Sequence, residues 1–356
     1  MIKKAFIFIL ILGALAAAVA YFRYLGPATG FAEKEKFLLI YSDNPTQSAI
    51  LASLKNENLL KNTQAFSEMA GWLGYWDKIK PGRYRIEKGS SVFSVVRLLR
   101  SGLQTPSKLV INKLRLPEDL AKVMSRAIEA DSASITAFLS NKDSLASCGL
   151  TPENWPANLI PNTYEVYWTS TPSKIIKKLK EEHEKWWSKN DRKAKAAAKN
   201  LTPEQVHIMA SIVEEESNSK EDRPKIASVY LNRIKQGMPL QADPTIRFAL
   251  KDFKMNRILY THLRTPSPYN TYINRGLPPG PICTPLPSTL ENVLDAPETD
   301  YIFFVADADL RGGSTFTTNL ADHNRAAKLY QDSLTAWLKR KSAKEKAGKA
   351  GSTPSK

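Results

Sequence analysis

The sequence predicts an α+β protein behind an N-terminal transmembrane helix, with a small α+β subdomain followed by a larger mixed α/β domain. Three observations lead there. An uncharged apolar run opens the chain, short period-two segments alternate with period-3.6 segments after it, and Pro and Gly crowd the chain beyond Leu240. The expected boundaries are 1–24 for a cytoplasmic stub and anchor, 25–35 for a linker, 36–105 for the small subdomain, 106–340 for the larger domain and 341–356 for a disordered basic tail.

"MIKKAFIFILILGALAAAVAYFRY" has a basic lead, Lys3 and Lys4, then apolar residues from Ala5 to Phe22. Roughly eighteen such residues just span a bilayer as a helix. Tyr21, Phe22, Arg23 and Tyr24 suit the far interface, and the lysines favour an inside N-terminus. The rival is a cleaved signal peptide, with "AVA" at Ala20 as a small-x-small site. Both readings export the rest of the chain.

"FLLIYSD" then reads as a strand and "TQSAILASLKNENLL" as a helix. A glycine-broken helix, "NTQAFSEMAGWLGYW", follows. In "IKPGRYRIEKGSSVFSVVRLLRSG" a Pro-Gly turn and strand lead to a helix capped by Ser90 or Ser91 and stopped by Gly102. "SKLVINKLRLPEDLAKVMSRAI" supplies a strand and a helix begun at Pro117. The chain turns at Pro161, and "KIIKKLKEEHEKWWSKNDRKAKAAAKN" is a mixed-charge helical stretch. Few helical periods appear beyond Leu240 until "PSTLENVLDAP"; "YIFFVAD" reads as a buried strand and "HNRAAKLYQDSLTAWLKRK" as a closing amphipathic helix.

Composition narrows the function classes. At 42% hydrophobic and 24% charged the chain is ordinary for a folded protein, but its net charge of +16 is not. Such a balance suits nucleic acid, an anionic membrane surface or an acidic polymer. Part of it lies in "KRKSAKEKAGKAGSTPSK", whose composition is that of a solvated tail. The mixed-charge stretch reads as a solvated helix face, and no zinc-finger, RNP-like or Walker pattern supports nucleic acid. Cys148 and Cys283 lack metal-like spacing and are either free thiols or a single disulfide; the four histidines form no His-x-x-x-His pair, so no metal site is expected.

"LTPEQVHIMASIVEEES" carries the chemistry. Thr202 can cap, Pro203 suits the first turn and Gln205 completes a capping box. At about 100° per residue, Glu216 falls about 35° from the mean direction of the apolar residues, while Glu214 and Glu215 fall roughly 125° and 135° away. Two glutamates are thus expected to face outward and one to continue the buried stripe. A buried carboxylate is either structural, here paired with Arg223, Arg233 or Arg247, or functional, with desolvation keeping it protonated near neutral pH.

In order, "ASIVEEES", "IASVYLNRIKQGMPLQADPTIRFAL", "TPSPYNTYINRGLPPGPI" and "GGSTFTTNLADHN" resemble the signature of the YceG-like endolytic murein transglycosylases. "KPGRYRIEKGSSVFSVVRLLRSG" and "IPNTYEVY" are similar to the rest of the family layout, so the resemblance covers nearly the whole chain except the tail. It implies a membrane-anchored lyase, single-pass in the inner (cytoplasmic) membrane, with an extracytoplasmic catalytic domain. That enzyme cuts the β-1,4 bond after N-acetylmuramic acid within glycan strands and leaves 1,6-anhydro ends, limiting strand elongation. The essential glutamate, followed by Thr or Ser, corresponds to Glu216 before Ser217. The resemblance also implies a LysM-like character for the small subdomain and substrate contacts at Gln241, Asp243, Tyr269, Asn270, Thr271, Tyr272, Asn319 and His323. The implied partners are peptidoglycan strands, the inner membrane and peptidoglycan synthases, with no nucleic acid and no cofactor. Asn162, Ser314 and "INKLRL" depart from the family pattern, away from Glu216. The alternatives are a non-catalytic peptidoglycan-binding scaffold and a hydrolytic muramidase that uses Asp243 or another acid to activate water.

Overall fold

The computed structural model describes residues 2–350. The first of two compact units comprises Met1–Val110, Ala121–Phe138 and Thr163–Ile175; the second comprises Ile111–Leu120, Leu139–Asn162 and Ile176–Lys356. The single boundary expected between 105 and 106 does not describe this division. Strand pairing explains the difference: β3 (Ser107–Val110) pairs antiparallel with β4 (Thr163–Val166), so a late segment joins the first unit. Local periodicity carries no signal for a partner so distant in sequence.

In the first unit α1 (Ile2–Ala20) continues as a π-helical turn, Tyr21–Leu25. Residues Lys3–Leu25 form an exposed apolar helix long enough, by length and composition, to cross a membrane. Strands β1 (Glu35–Ile40) and β2 (Gly82–Glu87) pair antiparallel, with Leu38 opposite Tyr84. Period two turns Tyr84 and Ile86 inward and leaves Arg85 and Glu87 outside. Helices α2 (Gln47–Asn56), α3 (Thr63–Trp72) and α4 (Val92–Ser101) bury Leu54, Phe66, Val96 and Leu99 with that face. Thr46, Asn62 and Ser91 each cap a helix by accepting a backbone N–H, and Gly102, at φ +75°, stops α4.

Between β3 and β4 run α5 (Pro117–Met124), α6 (Ser132–Ser140) and α7 (Lys142–Ala146). After β4 come α8 (Pro172–Trp187), α9 (Arg192–Ala198), α10 (Pro203–Glu216), α11 (Arg223–Lys235), α12 (Asp243–Leu250) and α13 (Pro287–Leu294). A hairpin, β5 (Phe303–Ala306) with β6 (Ser314–Thr317), precedes α14 (Leu320–Ala350). The second unit is built around α10, whose Val206, Met209, Ala210 and Val213 share a core with Ala227 and Tyr230 of α11 and Leu290 and Val293 of α13.

The architecture is α+β, with four differences from expectation. Each sheet among the described residues is an antiparallel pair, so the second unit is helices plus one hairpin and not a mixed α/β domain. Strand β5 is half-buried, because one hairpin cannot cover both its faces. Helix α12 occupies part of the Pro- and Gly-rich stretch: Asp243 and Pro244 start a helix there, as Pro commonly does in a first turn. Helix α14 continues through Ala350, past the start of the tail expected at 341; residues 351–356 of that tail lie outside the described residues.

Candidate active site

Helix α10 begins with the expected capping box: Thr202 Oγ1 accepts from Gln205 N at 3.2 Å, and Gln205 Oε1 accepts from Thr202 N at 2.8 Å. Every residue from Val206 to Glu214 is buried, so the helix has no solvent face along that length. The three glutamates at its end therefore have three different surroundings, and the outward placement expected for two of them is wrong. An angular argument assumes one buried stripe, and α10 is enclosed by α11, α12, α13 and the Trp155–Asn158 turn.

Glu214 is 4% exposed and accepts from Arg223 Nη2 at 3.1 Å, from Thr289 Oγ1 and from Leu286 N at 3.4 Å. Arg223 also donates to Thr289 Oγ1 and to Ser217 O, which closes the network. Glu215 accepts from Arg115 Nη2 at 2.8 and 3.0 Å and lies 3.1 Å from Lys113 Nζ. Burial alone would raise its carboxyl, but the hydrogen bond and charge of Arg115 with the charge of Lys113 outweigh burial and hold it below its ordinary value.

Glu216 is different. Among the described residues no arginine pairs with it; its Oε1 accepts from Tyr230 Oη at 2.8 Å, and the residue keeps partial exposure. Burial of the carboxyl pushes it up to about 7, opposed by the Tyr230 hydrogen bond. The Asp243 charge adds to the rise, and Arg247 and Arg233 oppose it at longer range. A carboxyl poised at about 7 with an opening to solvent can give a proton and take one back near neutral pH.

Asp243, at the start of α12, accepts from Tyr272 Oη at 2.6 Å, which places both residues beside Glu216 electrostatically. Thr271 and Asn270 are buried, and their polar groups are used inside the protein. Thr271 Oγ1 accepts from Ala242 N at 3.0 Å and meets Thr245 Oγ1 at 2.9 Å; Asn270 Nδ2 donates to Leu263 O and Thr265 O. These two hold the loop that presents Tyr272 and offer no free side chain to a ligand. Tyr269 packs on Phe248 with ring centroids 4.7 Å apart. A Cβ on Gly280 would come within 2.5 Å of Glu153 O and 3.0 Å of Tyr269 Oη, so only glycine fits under that ring.

Gln241 is exposed in a left-handed conformation, φ +51°, with its N–H on Thr271 O at 3.0 Å. Asn319 is exposed and caps α14, its Oδ1 accepting from Asp322 N at 2.9 Å. His323 stacks on Phe303 at 5.1 Å; burial and then the Arg233 charge lower it from its ordinary value. Residues that the motif reading missed are Tyr230, Arg115 and Lys113. Tyr230 lies in "IASVYLNRI", fourteen positions after Glu216 on a separate helix. The one available signal was a hydroxyl-bearing side chain in an otherwise apolar stripe.

The model of the YceG-like family matches residues 41–329. An endolytic murein transglycosylase of Bacillus subtilis (strain 168) is 30% identical over 303 residues, 80% of this chain and 81% of that protein. An endolytic murein transglycosylase of Streptococcus pneumoniae serotype 2 is 28% identical over 358 residues, and the match takes in 90% of this chain but 64% of the longer relative. Among solved structures, a YceG-like protein of Listeria monocytogenes shares the fold at a TM-score of 0.54 and 26% identity, covering 83% of this chain and 99% of that one.

Proposed function

The chain belongs to the YceG-like family, and from that membership we propose that it is a peptidoglycan lytic transglycosylase acting within glycan strands, with Glu216 as its acid and base. The observation that carries this reading is the contrast among the carboxylates. Glu214 and Glu215 are each tied to cations and Asp243 to Tyr272, whereas Glu216 is half-buried, unpaired by any arginine among the described residues and raised to about 7.

The reaction needs one such group. Glu216 gives its proton to the oxygen of the bond between C1 of N-acetylmuramic acid and O4 of N-acetylglucosamine, and that bond breaks. The muramyl 6-hydroxyl oxygen bonds to C1 and passes its proton to the Glu216 carboxylate. The donor is thereby restored, no water is consumed, and the muramyl end is a 1,6-anhydro sugar. A hydrolytic glycosidase generally uses two carboxyl groups, and Asp243 would be the second here. Its Oδ1 already accepts from Tyr272 Oη at 2.6 Å, so less of that carboxylate is free to hold a water, which favours the lytic reading.

The remainder of the reading concerns placement. The apolar helix Lys3–Leu25 is a single-pass anchor in the inner membrane with the enzyme on the extracytoplasmic face. Residues 36–105 form a LysM-like subdomain, peptidoglycan synthases are neighbours, and Gln241, Asp243, Tyr269, Tyr272 and His323 line the path of the strand. Digestion of purified glycan strands followed by mass analysis of the ends tests the reaction. Anhydro ends are expected; reducing ends indicate a muramidase, and uncut strands a binding scaffold.

A further inference from the structure

Arg247 lies one helical turn after Asp243 on α12 and lines a cavity of about 30 Å3 together with Arg115, Glu215 and Phe253. Its Nε is buried without a hydrogen-bond partner, and no ion pair forms on its guanidinium among the described residues. The neighbouring arginines are engaged. Arg115 is on Glu215, Arg223 on Glu214, and Arg233 on Ile302 O and Leu240 O. Lys113 also pairs with Glu215, so the cluster carries three cations against one carboxylate. A buried guanidinium donor left unpaired is costly, and a forked guanidinium is matched by a carboxyl group. The cavity has room for about two water-sized groups, so it suits a carboxyl group and not a sugar ring.

Resting on the lytic reading above, we propose that this cavity is a subsite for a carboxyl group carried by the muramyl residue at the cleaved bond, with Arg247 as its receptor. The muramyl sugar bears a 3-O-lactyl carboxyl group, free on a peptide-free strand and an amide when a stem peptide is attached. N-acetylglucosamine bears none. Seating that oxygen on Arg247, beside the helix end that carries Glu216, fixes which sugar presents its C1 to the acid. Arg247 is thus a positioning residue that reads muramyl from glucosaminyl.

The test compares three strand preparations on the full-length protein in detergent: peptide-bearing, peptide-free with a free lactyl carboxylate, and peptide-free with that carboxylate reduced to the alcohol. Wild-type protein is expected to lose about 10- to 100-fold in kcat/KM on the reduced strands, the size of one charged hydrogen-bonded contact. Arg247→Gln is expected to lose as much on the carboxyl-bearing strands and nothing further on the reduced ones, with Arg247→Lys in between. A loss confined to peptide-bearing strands places the contact on stem-peptide carboxylates. The subsite is overturned if wild-type protein cuts reduced and unreduced strands alike, or if Arg247→Gln cuts all three as wild type does. If wild-type protein forms no anhydro ends on any strand, the lytic reading falls and the subsite with it. The wild-type comparison between strands does not depend on the variants folding.

Discussion

The hydrogen bond between Tyr230 and Glu216 has a direction, and the direction assigns the proton. Tyr230 Oη donates to Oε1 of the carboxylate, which leaves Oε2 as the oxygen free to exchange a proton with substrate. Glu216→Gln keeps the shape and removes the acid, and anhydro-end formation is expected to fall by about 10²–10⁴-fold. Glu216 must be protonated to donate, so kcat/KM should decline as pH rises through about 7. Tyr230→Phe removes a contact that favours the carboxylate and should move that decline to higher pH. Asp243→Asn removes a charge that disfavours the carboxylate and should move it to lower pH. A pH profile unmoved in both variants would remove Glu216 from the role. Stability has its own sign. The folded carboxyl is raised above its unfolded value, so stability is greatest below the unfolded pKa and declines as pH rises towards about 7. Glu216→Gln should therefore be more stable than wild type at pH 8, with the gap closing towards pH 4 in thermal unfolding.

Helix α10 shows what a sequence reveals about an element and what it hides. Its start was fully legible, because Thr202, Pro203 and Gln205 act on their own backbone. So were the cap of α4, at Ser91, and its stop at Gly102; the angular argument and the motif alike point to Glu216. Its far end was only partly legible, since what surrounds Glu214 and Glu215 comes from segments distant in sequence. Arg115 lies 100 positions before Glu215, and Thr289 lies 75 after Glu214. The same limit put Asn270 and Thr271 among the ligand contacts, where motif membership cannot separate loop scaffold from exposed side chain. The Glu214–Arg223 pair, 4% and 8% exposed, ties α10 to α11, and Thr289 brings in α13. Arg223→Met leaves a buried carboxylate without its cation and should cost about 3–5 kcal/mol in denaturant unfolding; adding Glu214→Met should restore much of the loss. Across the same helix, His207 accepts from Trp187 Nε1 at 3.2 Å and lies 5.1 Å from the His183 ring. Burial lowers both imidazoles, His183 to about 4, so stability is full above pH 6.5 and should fall as pH drops from there towards 4. His183→Leu should flatten that decline in unfolding midpoints measured across the interval.

At the scale of the whole molecule, the proposed anchor is fastened to the first unit by side chains just past its apolar run. Arg23 Nη2 donates to both carboxylate oxygens of Glu68 at 2.8 Å, and Tyr24 Oη donates to Oε2 at 2.6 Å. The Tyr24 ring lies against Trp72, centroids 5.2 Å apart, and Trp72 is 67% exposed beside Tyr21, Phe22 and Leu25, which are also exposed. Exposed aromatics at the end of an apolar helix are placed as an interfacial belt would be, with the indole of α3 extending the patch. The junction at residues 21–25 is thus a clamp on α3, and the first unit should be held close to the bilayer instead of swinging on a free linker. Arg23 is also a tryptic site, which makes the clamp measurable on full-length protein in liposomes. Glu68→Ala removes all three hydrogen bonds at once and leaves the apolar helix intact. Cleavage after Arg23 should be slow in wild-type protein and several-fold faster in the variant, because proteolysis follows local opening. Cleavage at other lysines and arginines should keep its wild-type rate. Equal cleavage after Arg23 in the two proteins would mean that the helix ends in a free linker, and Trp72 would then have no reason to lie at the membrane surface.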